Sequence, residues 1–473
     1  MEKFPLCSRS VRLIGHDVLS HPATDEQFLS CASRIARHQP AAVLLSGGAP
    51  TPDDTNRASI LAWDPFLVLT SKNGLCTLRT RTESFTLKTH PLDLLDSVIA
   101  AHPPDFPLVI APFSGGAVGY LAYDLKNCIE ELPQNARDDL ELPDLFLFWP
   151  GQLLVHDRRE ETLAYLRMAP EGDPLPADES TFLHEASPSS SRPSFQTGPI
   201  ASNFTHDGYL RAIQRVRHYI REGDAYQVNL AQRFGFPFTG DPFSLWQKLF
   251  SLNPAPFYAF INTEDHQVLS TSMERFLMRR GDFLETRPIK GTRKRGATPE
   301  EDARLIDNLT NDPKDDAELS MIVDLMRNDL GRVCVTGSVQ VTEHKRLESY
   351  QNVHHLISIV TGKIRPETTA GALLRATFPG GSITGCPKIR AMEIIDELEP
   401  HVRHVYTGSI GYLGWHGNLD LNIAIRTAVI KSGMGYYAAG GGIVFDSREQ
   451  DEYEETLHKA RTLFQCVGSS VEE

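Results

Sequence analysis

The sequence predicts an α+β fold, with large antiparallel β-sheets and helices packed outside them. Three observations carry that expectation. Runs rich in β-branched and aromatic residues recur from end to end and are joined by short turns. Helical patterns occur, but they do not alternate strictly with the strands as a Rossmann or TIM arrangement requires. The 473 residues, 41% apolar and 23% charged, are enough for a large core and for two domains.

In chain order, the first third reads as strands: "SILAWDPFLVLTS" (59–71), "GGAVGYLAYD" (115–124) and "LFLFWPGQLLVHD" (145–157). Residues 170–200 are dense in Pro, Ser and acid and read as a surface linker. This divides the chain into an N-terminal β-rich domain (1–169) and a larger domain (201–473). The second domain opens with a helix in which Tyr209, Ile213, Val216 and Ile220 recur at helical spacing. Thr205 or Asp207 caps its start and Gly223 its end. A strand follows at 226–234, then hairpins at 257–272 and 275–289, the latter turning at Gly281-Asp282. Residues 315–331 form a helix with Leu319, Ile322, Val323 and Met326 on one face. Pro387 suits the first turn of another helix, which Glu399-Pro400 ends. Strands at 408–430 and 436–447 and a helix at 451–467 complete the order.

The totals also exclude function classes. A formal charge of -14 argues against general nucleic-acid or membrane-surface binding. Seven dispersed cysteines without a CxxC pair fit reduced thiols in a cytosol better than a disulfide framework or a zinc site. No secretory h-region and no apolar run of membrane-spanning length is visible.

Several segments could carry chemistry, and each has a plain structural alternative. "TRPIKGT" (286–292) places Lys290 in a stretch where five of the nine residues from Arg287 to Arg295 are cationic. A strand-borne amine among cations and apolar walls would lose its proton readily and become a nucleophile. The alternative is an exposed lysine in a basic loop. Glu274 in "STSMERF" stands beside a turn and could be a general acid if burial raised its pKa; an exposed turn glutamate reads equally well. Glu318 on one helix and Glu452, Glu454 and Glu455 on another could share a Mg²⁺ ion if they met, or simply solvate helix starts. Lys459 shares a helix face with Glu455. The glycine-rich turn with Ser382 and Thr384 feeds a helix N-terminus and could receive an anion, or be only a tight turn. Arg426 inside the apolar strand "NIAIRTAV" needs a partner, either a substrate carboxylate or a structural acid. His354 and His355 alternate faces of a strand, so at most one of them points at a given site.

Taken together, "GDAYQVNLAQRF", "TRPIKGT", "DDAELSMIVDLMRNDLGRV", "FPGGSITGCPKIRAMEIIDELEP", "GSIGYLG", "AIRTA", "GGGIVFDS" and "YEETLHKA" resemble the chorismate-utilising enzymes. That family includes anthranilate, isochorismate, salicylate and aminodeoxychorismate synthases. The resemblance implies an anthranilate synthase component I-like sandwich of large antiparallel sheets. By position it implies Glu318 and Glu455 as Mg²⁺ ligands. It makes Arg426, Tyr412, Ser382 and the backbone at Gly441 and Gly442 contacts for substrate carboxylates. His355 and Lys459 match an active-site histidine and a lysine near the metal, and Glu274 matches the acid that protonates the departing C4 hydroxyl.

Two positions choose among the family's reactions. The water-adding members carry a lysine base where this chain has Gln227. Members that put ammonia or water directly on C2 usually read "PIAGT", whereas this chain reads "PIKGT", the mark of many aminodeoxychorismate synthases. The expected reaction is therefore amination of chorismate at C4 through a lysine-bound intermediate, for p-aminobenzoate and folate synthesis. Anthranilate synthesis and a non-catalytic scaffold are the alternatives. No segment reads as a glutaminase with an elbow cysteine, so the resemblance implies a separate glutamine amidotransferase subunit as ammonia source. The segment "LLSGGAPTPDDTNRASI" (44–60) does not match a tryptophan-binding pattern, and no tryptophan site is expected.

Overall fold

The computed structural model describes residues 8–48, 55–184, 195–252, 254–349 and 353–468. Part of the 170–200 stretch (185–194) and part of the 44–60 segment (49–54) lie outside them.

The strands pair antiparallel throughout their ladders. Ala58–Lys72 lies against Leu145–Asp157, and Val11–Ser20 against Thr162–Pro170. Gln227–Gly240 pairs along its length with Met434–Ile443. The 275–289 hairpin turns at Gly281, whose φ of 62° is one that glycine adopts without a Cβ penalty. Two pairings join distant parts of the chain. Ala41–Leu45 bonds to Tyr258–Asn262, and Gly116–Leu121 bonds to Ser409–Gly414. Both large apolar cores draw on the two halves as well. One contains Trp149 and Leu421, the other Trp63 and Leu463.

The helices form where the apolar spacing and caps place them. His206–Glu222 starts at Thr205, whose side chain accepts from the Gly208 N–H, and stops at Gly223 in the left-handed region. Tyr209, Ile213 and Val216 are fully buried. Pro313–Gly331 buries the Leu319, Ile322, Val323 and Met326 face. Pro387 stands just before Lys388–Leu398, and Glu449–Val467 ends at Gly468. None of the helices among the described residues is long and apolar enough to cross a membrane.

Candidate active site

One wall of the site is the strand pair in which Asn229, Leu230 and Ala231 face Gly442, Gly441 and Gly440. Close approach explains the glycines. A Cβ on Gly440 would lie 2.5 Å from the Leu230 carbonyl oxygen. On Gly442 it would lie 2.2 Å from Gln227 Nε2 and 3.3 Å from Lys290 Nζ. On Gly441 it would meet Glu452 Oε2 at 3.1 Å and Glu455 Oε1 at 3.6 Å. The backbone here runs bare between an amine and amide on one side and two carboxylates on the other.

Lys290 sits on Ile289–Lys294, paired with Val353–Lys363. The register slips between Lys290 and Thr292, at Gly291, whose φ is 75°. Such a glycine bulge re-aims the preceding side chain. The Lys290 amine lies 3.7 Å from Glu318 Oε2, with the two side chains only 15% and 14% exposed. The cations that the sequence gathers around it do not face it as free charges. Arg287 bonds Glu285 at 2.6 Å, Arg293 bonds Asp312 at 2.9 Å and Asp315 at 3.1 Å, and Arg295 bonds Asp302 at 2.9 Å. The expected like-charge crowding is therefore corrected: each arginine has its own carboxylate, and the charges facing Lys290 are acidic.

Glu274 lies between His266–Thr271 and Arg275–Arg280 and is buried, not an exposed turn residue. The short turn Gly381–Ile383 presents Ser382, whose hydroxyl donates to Glu274 Oε1 at 2.6 Å. Burial pushes the Glu274 pKa up to about 7, against the Ser382 hydrogen bond and the positive charges of Lys290 and Lys459, which favour the anion. A carboxylic acid poised at neutral pH is suited to protonating a leaving group.

Lys459 donates to Glu455 Oε1 at 2.6 Å and to the Gly440 carbonyl at 2.8 Å. His355 is buried, with Thr292 Oγ1 at 2.9 Å from Nδ1. Burial and the Arg426 charge lower its pKa to about 4, so its imidazole is neutral at physiological pH. Its neighbour His354 faces elsewhere, bonded to Asp302 and Ser349. Arg426 is not within a strand, as its apolar flanks suggested. It stands at the break before Thr427–Lys431 with φ 52°, and it donates to the Lys459 carbonyl at 2.5 Å. It meets no carboxylate among the described residues, so its guanidinium is available to a substrate acid. Both amide atoms of Gln227 are buried without a hydrogen-bond partner among the described residues.

The structure therefore groups Gln227, Glu274, Lys290, Glu318, Ser382, Gly441, Gly442, Glu455 and Lys459, with His355 and Arg426 as mutual neighbours alongside. It does not bring Tyr412 there. Strand pairing sets Tyr412 opposite Asp420 and Val118, packed on Phe113, where it lines a separate cavity of about 60 Å³ with Ser46 and Arg280. Tyr406 and Tyr437 are buried near Arg426, Tyr437 in hydrogen-bond contact with it, and sequence reading missed both. Glu452 was named only as one of several helix acids; Ser447 holds it at 2.6 Å. Its signal was its place three residues before Glu455, on the same helix face.

The oxygen donors fit a hard divalent cation. Glu318 lies against the Lys290 amine, which is itself beside Gly442, and Glu455 stands beside Gly441 and holds Lys459. No group of three or more His, Cys, Asp or Glu side chains is gathered for a metal among the described residues. Mg²⁺ does not need one, because it takes one or two protein carboxylates and fills its shell with water and an anionic substrate.

A family profile described as chorismate binding enzyme matches residues 44–465. The chain belongs to the chorismate-binding enzyme family. Within it, the chain is 42% identical over 445 residues to aminodeoxychorismate synthase component 1 of Klebsiella aerogenes, covering 91% of this chain and 94% of that one. It is 41% identical over 393 residues to anthranilate synthase component 1 of Cereibacter sphaeroides, covering 80% and 78%. The crystal structure of anthranilate synthase component I from Streptococcus pneumoniae TIGR4 superposes with a TM-score of 0.74 at 32% identity, covering 94% of this chain and 98% of that one. The chorismate-binding fold is thus the anthranilate synthase component I-like architecture expected from the motifs.

Proposed function

We propose that the chain acts as component I of an aminodeoxychorismate synthase. It would convert chorismate and ammonia to 4-amino-4-deoxychorismate, with ammonia supplied by a separate glutamine amidotransferase subunit. The observation that carries this reading is the amine of Lys290 on the site wall, within the electrostatic field of a Glu274 acid poised near neutrality.

The steps follow from the side chains. Arg426 receives a substrate carboxylate, and neutral His355 adds no competing charge. The Lys290 amine, once it has given up its proton, attacks C2, the ring double bond shifts, and the C4–O bond breaks. Glu274 gives its proton to that oxygen, which leaves as water. Ammonia then attacks C4, the double bond shifts back, the C2–N bond breaks to release the Lys290 amine, and the new C4 ammonium returns a proton to the Glu274 carboxylate. The net change is chorismate plus ammonia to aminodeoxychorismate plus water. Glu318 and Glu455, now paired with Lys290 and Lys459, would hold Mg²⁺, which would supply positive charge for the ring carboxylate. Gln227, where a basic lysine would activate water, offers only a neutral amide.

The test is product identity after incubation with chorismate, Mg²⁺ and ammonium at alkaline pH. 4-Amino-4-deoxychorismate is expected. Anthranilate formed without any added lyase would replace this reading with the C2-aminating one, and absence of turnover by folded protein would favour a scaffold.

A further inference from the structure

A second cleft, of about 240 Å³, lies between the Pro91–Ala101 helix and the hairpin of Ser409–Gly414 and Leu419–Asn422. It shares no residue with the wall carrying Lys290 and Glu274. Its flanks are apolar, with Ile99 and Ala100 on the helix side and Leu413 and Leu419 on the hairpin side.

Its other end is cationic. Arg279 closes the Arg275–Arg280 strand, donating through Nε to the Gly281 carbonyl at 2.9 Å and through Nη1 to the Thr368 carbonyl at 3.3 Å. Among the described residues it meets no carboxylate, and burial alone shifts its pKa, downward. A half-buried guanidinium without a counter-ion is costly, and an anion bound beside it recovers that cost. The cleft's own acid, Asp96, does not pair with Arg279; it accepts from the Thr369 hydroxyl of the cleft wall at 2.7 Å and from the Gly371 N–H at 2.8 Å. Trp415 also lines the cleft. Its ring stacks on Phe66 with centroids 6.3 Å apart, and its indole N–H is buried without an acceptor among the described residues.

We propose that this cleft binds a single-ring aromatic carboxylate, its acid on Arg279 and its ring between the apolar flanks beside Trp415. A cation lacking a counter-ion and apolar walls on both sides define an anionic head on a flat apolar body. A polyanion is disfavoured, because one guanidinium is all the positive charge the cleft offers.

Benzoate is the probe, titrated into the full chain and followed by tryptophan emission, with neutral benzamide as control. Benzoate should give a saturable change that Trp415→Phe removes and that benzamide does not reproduce. Arg279→Gln should raise the midpoint about tenfold or more, the usual scale for losing a charge-assisted hydrogen-bonded pair, and leave ammonium-dependent turnover unchanged. Arg426→Gln should leave the midpoint where it is, which separates this cleft from the active site. Should Arg279→Gln fail to fold, Ile99→Trp, which fills the apolar end, decides the matter by abolishing the change. An unchanged midpoint in Arg279→Gln or Ile99→Trp, or loss of the signal in Arg426→Gln, overturns the proposal. The readout is binding, so it stands apart from whether the active site aminates C4.

Discussion

Lys290 without its amine should no longer deliver nitrogen to C4. In Lys290→Ala the 4-amino product should fall by about 10²-fold or more, and residual product should carry its substituent at C2, as read by mass and NMR of the products. Glu274→Gln should lower kcat by about 10²–10⁴-fold, the ordinary contribution of a general acid. It should also abolish the fall of kcat as pH rises through about 7, where wild-type Glu274 gives up its proton. Stability moves the other way. The folded Glu274 keeps a proton that the unfolded chain releases near the ordinary value of 4.5, so its burial costs nothing at pH 4 and progressively more from pH 4.5 to 7. Glu274→Gln should therefore be more stable than wild type at pH 8, by up to about 3 kcal/mol from the shifted pKa, and should show no such gain at pH 4, in denaturant titrations at both values. Ser382→Ala removes a hydrogen bond that favours the Glu274 anion, so the falling limb of the pH profile should move to higher pH. These residues were legible because motif and residue type coincided. Tyr406 and Tyr437 were not, because a turn before Ser409–Gly414 and a separate strand, Met434–Ile443, meet at Arg426 only through the tertiary fold.

At the level of elements, the glycine run in Met434–Ile443 separates structural from catalytic constraints. Gly440 faces backbone, which cannot yield, so Gly440→Ala should lower Tm by several degrees. Gly442 faces the end of the Gln227 side chain and the Lys290 amine, so Gly442→Ala should reduce kcat strongly with a smaller change in Tm. Thermal unfolding and steady-state rates on both variants check the split. Local pattern was enough to find the helices and hairpins, since caps, apolar spacing and the turn at Gly281 all act within a few residues. It failed at Arg426, where the apolar flanks read as one continuous strand. The strand stops at Asn422, and the break over 423–426, left-handed at Arg426, has no glycine to announce it. It also failed for the basic stretch 287–295, because spacing does not show that Glu285 two residues before it, Asp302 in the helix after it and Asp312 just before the next helix turn back to neutralise it.

In the whole molecule, the strands before residue 169 and those after residue 201 complete one another's ladders. A fragment of residues 201–473 alone would expose the edges of Tyr258–Asn262 and Ser409–Gly414 and half of each core. It should be insoluble or unfold without a cooperative transition, whereas the full chain should give one calorimetric transition. Composition foretold the size of the core and the strand content, but the pairing of Ala41–Leu45 with a strand some 200 residues later has no local signature. The large sheets bring Lys290, Glu274 and the two acid-bearing helices into one site, and the central claim is that this lysine bonds to the ring. Intact-mass and peptide mass spectrometry of the full chain with chorismate and Mg²⁺, ammonia withheld, tests it most directly. The account predicts an added mass of chorismate less one water, located on Lys290 and missing from Lys290→Ala. An unmodified Lys290, together with undiminished C4 amination by Lys290→Ala once ammonium is added, would contradict it.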